Sequence, residues 1–283
     1  MRLHSLQICT ILLGLATTST TVLGDEPTIA KRPSASARKK VLVELFTSQG
    51  CDSCPAAEQV FGSLERLGVT RDRVVPLAFH VDYFNTPWKD PYSDPTFSRR
   101  QSQYSLIWKR EKGIDAADYL YFTPMLMVDG RVPMLGSNAS EAKRALAQAV
   151  SEKPGALISS KLGGSAADSR RTLKVEVEAN SPEIVGRDLI VGVALTENPI
   201  STAVASGENG GKSLVEHFAT RSFVVRSTKL ARGESKSFEV PISLPRTSAP
   251  ERFAVAVFVQ DVENGRIYQA ESLPWIEEPK KLK

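Results

Sequence analysis

Cys51 and Cys54 stand where a strand pattern hands over to a helix pattern, and that junction constrains the fold more than any other feature of the chain. Val41, Leu42, Val43, Leu45 and Phe46 form a run interrupted only by Glu44, as expected for a strand covered on both faces. Pro55 is tolerated in a first helical turn. After it Ala57, Val60, Phe61, Leu64 and Leu67 recur at helical spacing, with Gly68 as a stop. Two thiols so spaced at a strand-to-helix junction are the usual seat of thiol–disulfide exchange. They close a ring too small to restrict the unfolded chain much, so they make a poor brace.

The next segments keep the alternation of strand and helix. Val74 to Val81 reads as a second buried strand. A polar and aromatic insertion, residues 84–122, carries a helix with Asp94 as N-cap, Pro95 at its first position and Gly113 after its end. Trp88, Tyr92, Phe97, Tyr104 and Trp108 are expected to form a small core of the insertion's own. Met125 to Val128, the turn pair Asp129-Gly130 and Arg131 to Leu135 predict a hairpin, with Pro133 putting its last strand at a sheet edge. Asn138 and Glu141 predict a capped helix carrying Ala142, Leu146 and Val150.

Beyond Gly155 the helical period disappears. Alternating stretches at 173–178, 189–196, 222–226, 237–242 and 253–260, with an Asn264-Gly265 turn, predict an all-β sandwich. The glycine-rich loop from Gly207 to Gly211 opens no helix pattern and reads as a flexible turn rather than a phosphate cradle.

At the N-terminus, Arg2 precedes an apolar stretch from Ile8 to Ala16 that is too short to span a bilayer, followed by a polar run ending at Gly24. Residues 1–24 are therefore expected to be a secretory signal, and the protein to be exported, periplasmic or extracellular. Cleavage would remove one Arg and no acid, moving the formal charge from +4 to +3, and would leave Cys51 and Cys54 as the only cysteines. Residues 25–39 read as a disordered basic linker, 40–154 as the first domain, 155–277 as the β domain and 278–283 as a tail. Much of the basicity lies in Lys31-Arg32 and Arg38-Lys39-Lys40, around a Pro/Ser/Ala stretch, and no basic patch with aromatics on a folded face is read, so no nucleic-acid partner is expected. No membrane span is expected after cleavage.

With Cys51 and Cys54 at the junction, and Pro124 after Thr123 just ahead of the hairpin, the first half resembles a thioredoxin fold. In that fold a cis-proline faces the dithiol. More closely, the chain is similar to a bacterial family of exported thioredoxin-like proteins of uncharacterised function. Residues 43–51, 79–83, 88–91, 123–130 and 258–261 carry that likeness. The resemblance implies an α/β thioredoxin-like domain followed by an all-β sandwich-like domain. Asp52-Ser53 stands where thioredoxin has Gly-Pro.

On this reading Cys51 is the nucleophile, because a helix N-terminus favours its thiolate, and Cys54 resolves the mixed disulfide. Asp52 disfavours the thiolate, so a comparatively reducing pair is expected. Pro124 would present the backbone of Thr123 to an extended substrate. Glu44, if buried, would shuttle a proton with Cys54; otherwise it is paired with a cation or exposed. His80 and Asp82 share a strand face and are expected to orient one another near the dithiol and meet substrate, unless His80 simply packs. The partners would be protein or small-molecule thiols and disulfides and an unidentified redox partner, with no cofactor. Two alternatives stand beside this. In one, Cys51, Cys54 and His80 hold Cu(I), with Met125, Met127 and Met134 as soft neighbours unless these are strand core. In the other, the chain is a non-catalytic binding module.

Overall fold

The structure is a computed structural model that describes residues 38–112, 121–246 and 249–276. The expected signal at 1–24, most of the linker, the Gly113 stop and the tail at 278–283 lie outside the described residues. Among the described residues there are thirteen strands and three α-helices. None of these helices is long and apolar enough to cross a membrane.

In chain order the first half holds β1 (Val41–Thr47), α1 (Cys54–Phe61), β2 (Val74–His80), α2 (Pro95–Lys112), β3 (Met125–Val128), β4 (Val132–Leu135) and α3 (Ala139–Ser151). The second half holds β5 (Ala156–Leu162), β6 (Arg170–Ala179), β7 (Leu189–Glu197), β8 (Ile200–Ala203), β9 (Ser213–Glu216) and β10 (Ala219–Thr228). It continues with β11 (Ser235–Ser243), β12 (Phe253–Asp261) and β13 (Ile267–Pro274).

Local signals place several of these elements. The Asp94 carboxylate accepts from the Thr96 N–H at the start of α2, and Asn138 accepts from the Glu141 N–H at the start of α3. Asp129 and Gly130 both take positive φ in the β3–β4 turn, and Pro133 lies on β4 at the sheet edge.

The expected pairing of an α/β thioredoxin-like domain with a separate β-sandwich is overturned by the sheet itself. One mixed eight-stranded sheet runs β13-β12-β7-β10-β2-β1-β3-β4, with strands from both halves of the chain. The join is a short parallel contact between Ala219 of β10 and Ala78 of β2, where the Ala78 N–H donates to the Phe218 carbonyl at 2.9 Å. A three-stranded sheet, β11-β6-β5, packs on the part of the large sheet that β7, β12 and β13 provide. Alternation and turn residues report local strand content, but which strands share a sheet depends on contacts far apart in sequence, which the pattern does not contain.

Helix α2 seals this join. Its Phe97 and Tyr104 pack against Leu42, Phe46, Leu77 and Phe79 from the first half and Ala194, Phe258 and Ile267 from the second. Phe97, Tyr104 and Trp108 thus belong to a shared core, whereas Trp88 donates to Gln49 at 3.3 Å and the Tyr92 ring lies 5.5 Å from that of His80, so the insertion's aromatics form no core of their own. At its centre Arg100 lies buried, its guanidinium carbon 4.9 to 5.7 Å from the ring centres of Phe258, Phe223, Tyr104 and Phe79. Arg100 Nε and the Tyr104 hydroxyl both donate to the Glu44 carboxylate, and Arg100 Nη1 donates to Gln260 of β12 at 3.2 Å. Burial, with the Glu44 carboxylate close by, holds the Tyr104 phenol well above its ordinary range. Lys39, read as linker, is also buried, donating to Asp129 at 2.5 Å and to the Ile267 carbonyl at 3.0 Å.

Arg100→Ala is expected to destabilise the protein by roughly 3 to 5 kcal/mol in urea unfolding, because it leaves the Glu44 charge buried and unpaired. The double replacement Glu44→Leu with Arg100→Met should cost markedly less. A loss under about 1 kcal/mol for Arg100→Ala would contradict this account of the join.

Candidate functional site

The site is built where the loop after β1 enters α1. The Cys51 N–H donates to the Ser48 carbonyl at 3.2 Å and the Cys54 N–H to the Cys51 carbonyl at 3.3 Å, coiling the chain into the helix. Gly50 lies against the Phe84 carbonyl, where an added Cβ would sit 2.6 Å from that oxygen. Cys51 and Cys54 are joined as a disulfide with Cα atoms 5.5 Å apart. Cys51 Sγ lies 3.4 Å from the Ser53 hydroxyl and 4.0 Å from the Thr123 carbonyl oxygen. The Thr123-Pro124 peptide bond is cis, and the Thr123 hydroxyl donates to the Phe46 carbonyl at 3.0 Å. The structure therefore brings together Cys51, Cys54 and the Thr123-Pro124 pair.

Both cysteines are only 2 % exposed. The backbone that carries them is held from the second half. Asn209 donates through Nδ2 to the Gln49 carbonyl at 3.0 Å and to the Cys51 carbonyl at 2.8 Å. Glu208 accepts from the Asp52 N–H at 2.9 Å. The loop expected to be a flexible turn is thus tied to the dithiol segment by its own polar side chains. Cys54 lines a cleft of about 380 Å3, whose other walls include Ser48, Glu58, Glu216 and His217.

Glu44 is not at this site. Along β1, Val43 and Leu45 face α1 and α3, whereas Leu42 and Phe46 face α2, and Glu44 shares their parity. Its carboxylate is taken by Arg100 and Tyr104 on the opposite side of the sheet from the dithiol. His80 and Asp82 do not pair either. Asp82 lies past the end of β2 and accepts from the Ser98 hydroxyl. His80 Nδ1 instead meets Asp90 at 2.7 Å, and Asp90 also accepts from the Gln49 and Tyr92 N–H groups, each at 2.9 Å.

His80 faces a pair of acids that the sequence reading passed over. Ligand atoms of Glu58, His80 and Glu216 all lie within 4.8 Å of one another, and all three residues are buried. Glu58 accepts from the His217 N–H at 3.2 Å and Glu216 from Gln49 Nε2 at 2.6 Å. Glu58 Oε1 makes no well-formed hydrogen bond, and His80 Nε2 has no hydrogen-bond partner. Burial, then the neighbouring Glu216, pushes the Glu58 carboxyl up to about 8. Burial also raises Glu216. Burial works against a charge on His80, but Asp90 and Glu216 outweigh it and raise the imidazole to about 9. Among the described residues this is the one close group of three His, Cys, Asp or Glu ligands, and it contains no cysteine. Met125 and Met127, named for the copper alternative, are buried among Leu42, Phe46 and Phe79, the α2 side of β1.

One signal for Glu58 was present in the sequence. It falls four residues after Cys54, on the helix face that buries Cys54, Ala57 and Phe61, where a carboxylate is out of pattern. Glu216 and Asn209 had no such signal, because they reach the site through the β8–β9 hairpin and the loop within it.

Asn209→Ala is expected to speed reduction of the Cys51–Cys54 disulfide by a small water-soluble phosphine roughly 10- to 30-fold. It removes two buried hydrogen bonds that tie the loop to the dithiol segment, each worth on the order of 1 kcal/mol. An unchanged reduction rate would mean that the loop does not limit access.

The fold recurs in solved structures. Protein AGR_C_4864 from Agrobacterium tumefaciens is 21% identical, with a TM-score of 0.62 over 87% of this chain and 99% of that one. HBP35 of Porphyromonas gingivalis is 16% identical, with a TM-score of 0.61 over 88% of this chain and 79% of that one. At these identities the likeness is one of fold. No curated protein matches the sequence. A family profile described as "Protein of unknown function (DUF1223)" matches residues 42–260. The chain therefore belongs to the DUF1223 family.

Proposed function

We propose that the chain carries out thiol–disulfide exchange through Cys51 and Cys54. The observation that carries this reading is the placement of the pair. Cys54 is the first residue of α1 and Cys51 lies in the turn that leads into it, with Cys51 Sγ beside the Thr123 carbonyl and Cys54 on the wall of a cleft. The free N–H groups and the dipole of a helix start favour a thiolate there.

Starting from the reduced pair, the Cys51 thiolate attacks one sulfur of a substrate disulfide. The substrate S–S bond breaks, a mixed disulfide forms on Cys51, and one substrate thiolate leaves. The Cys54 thiolate then attacks Cys51 Sγ, closing the ring and releasing the second substrate thiolate. The protein dithiol is oxidised by two electrons and the substrate disulfide is reduced by two. Run in reverse, the same steps oxidise a substrate dithiol. Either direction needs Cys51 Sγ to be reachable, and the 204–212 loop, tied to the backbone of residues 49–52 by Asn209 and Glu208, is the segment expected to lift before attack. Asp52 flanks the attacking sulfur and opposes its ionisation, which favours a pair more reducing than the strongest helix-tip oxidants. An exported protein, as the N-terminal sequence suggests, would meet both thiol and disulfide partners.

The burial of both sulfurs favours a second reading, in which the pair stays oxidised and serves the fold. Equilibration of the full chain in glutathione buffers, quenched by alkylation, separates the two. Exchange predicts a reversible two-electron transition and, for Cys54→Ser, a stable mixed disulfide on Cys51. A pair that remains oxidised across the whole range and a Cys54→Ser protein that forms no mixed disulfide would exclude exchange.

A further inference from the structure

The cluster beside the dithiol has the composition and posture of a metal centre. It offers one imidazole nitrogen and two carboxylates, contributed by β2, α1 and β9, with all donor atoms within 4.8 Å of one another. His80 is wholly buried, its Nε2 has no partner, and its other ring nitrogen is held by the Asp90 carboxylate at 2.7 Å. A histidine that ligates a metal is oriented in this way, with a carboxylate on the far nitrogen fixing the ring. Glu58 Oε1 is likewise buried and makes no well-formed hydrogen bond, with the Thr47 hydroxyl beside the carboxylate. Gln49 ties the arrangement together, donating to Glu216 from its side chain and to Asp90 from its backbone.

Charge balance points the same way. Elsewhere in this protein a buried carboxylate has its cation, as Glu44 has Arg100 and Asp129 has Lys39. Among the described residues no lysine or arginine pairs with Glu58, Glu216 or Asp90. Glu58, Glu216 and Asp90 therefore share the His80 imidazole, and a bound cation would give the two glutamates the partner that the other buried carboxylates have.

We propose that Glu58, His80 and Glu216 bind a first-row divalent metal ion such as Zn2+ at the wall of the cleft that Cys54 also lines. Nitrogen and carboxylate ligands suit Zn2+, Mn2+ or Fe2+ better than Cu(I). Three protein ligands leave a coordination position free, and Glu58 and Glu216 both border the cleft through which water or a small ligand would reach it. The site uses neither sulfur, so it stands or falls independently of thiol exchange.

The test uses tag-free full-length protein, oxidised, stripped with EDTA and titrated with Zn2+ by calorimetry, with Mn2+ followed by electron paramagnetic resonance as a second probe. The expected result is one ion per chain and a rise in thermal midpoint on loading. Glu58→Gln and Glu216→Gln should each weaken Zn2+ binding by more than tenfold, and Asp90→Asn by roughly 10- to 100-fold. A Cys51→Ser, Cys54→Ser double variant should bind as well as the wild type. Circular dichroism of each variant before loading reports whether it is folded. Failure of the folded wild-type chain to bind either ion would overturn the proposal, whatever the variants do. Binding that survives both glutamate replacements, or that vanishes with the cysteines, would overturn it as well. In the first of these outcomes the three residues are simply an internal cluster in which a charged His80 faces its acids.

Discussion

The short parallel contact between β10 and β2 is the constraint on which the rest depends. It is one register pair long, yet it decides where the second half of the chain sits. The residues just before it, His217 and Phe218, turn the chain from β9 into β10, with Phe218 at φ 53°. The His217 ring then lies on α1's last turn so closely that a Cβ on Gly62 would be 2.3 Å from it. With that contact made, Glu216 falls beside Glu58 and His80, and the 204–212 loop is tied to the Cys51 backbone. The site is therefore assembled from both halves of the chain, and a local change at the join would be felt at the sulfurs.

Two buried polar systems lie on opposite faces of the same sheet and do different work. Under α2, Arg100 is fully matched by Glu44, Tyr104, Gln260 and four aromatic rings, and it locks the two halves together. Under α1, the Glu58, His80 and Glu216 group retains unmatched atoms. A satisfied network rigidifies, whereas an unsatisfied one in a buried place invites a ligand or a change of protonation. That contrast separates the structural cluster from the functional candidate more sharply than residue type does, since each contains a buried glutamate.

The sequence carried the local elements well. Alternation, caps and turn pairs located β1, β2, α2, the β3–β4 hairpin, α3 and the start of α1, which ends at Phe61 with Leu64–Leu67 as a separate 3-10 turn before Gly68, because each is written in residues adjacent along the chain. The dithiol and the Thr123-Pro124 step were legible for the same reason. The sheet order was not, and with it the fold class, because a strand's pattern names its faces and not its neighbours. Glu44 shows what parity alone would have corrected, since it shares a face with Leu42 and Phe46 rather than with the residues that contact α1. His80 was noticed but given the wrong carboxylate. Asp90 reaches it through a loop fold that no spacing rule encodes, whereas Asp82, two residues away, turns to Ser98.

Residue-resolved hydrogen exchange on the full-length oxidised protein tests the composite site most directly. The Asp52 N–H is bound by Glu208, while the Gly211 and Lys212 N–H groups are bound within the 204–212 loop, to Val204 and Asn209. If the loop is the lid of the dithiol segment, all three amides open together and report one common opening free energy. Free-peptide exchange at Asp52 while Gly211 and Lys212 stay protected would contradict the account.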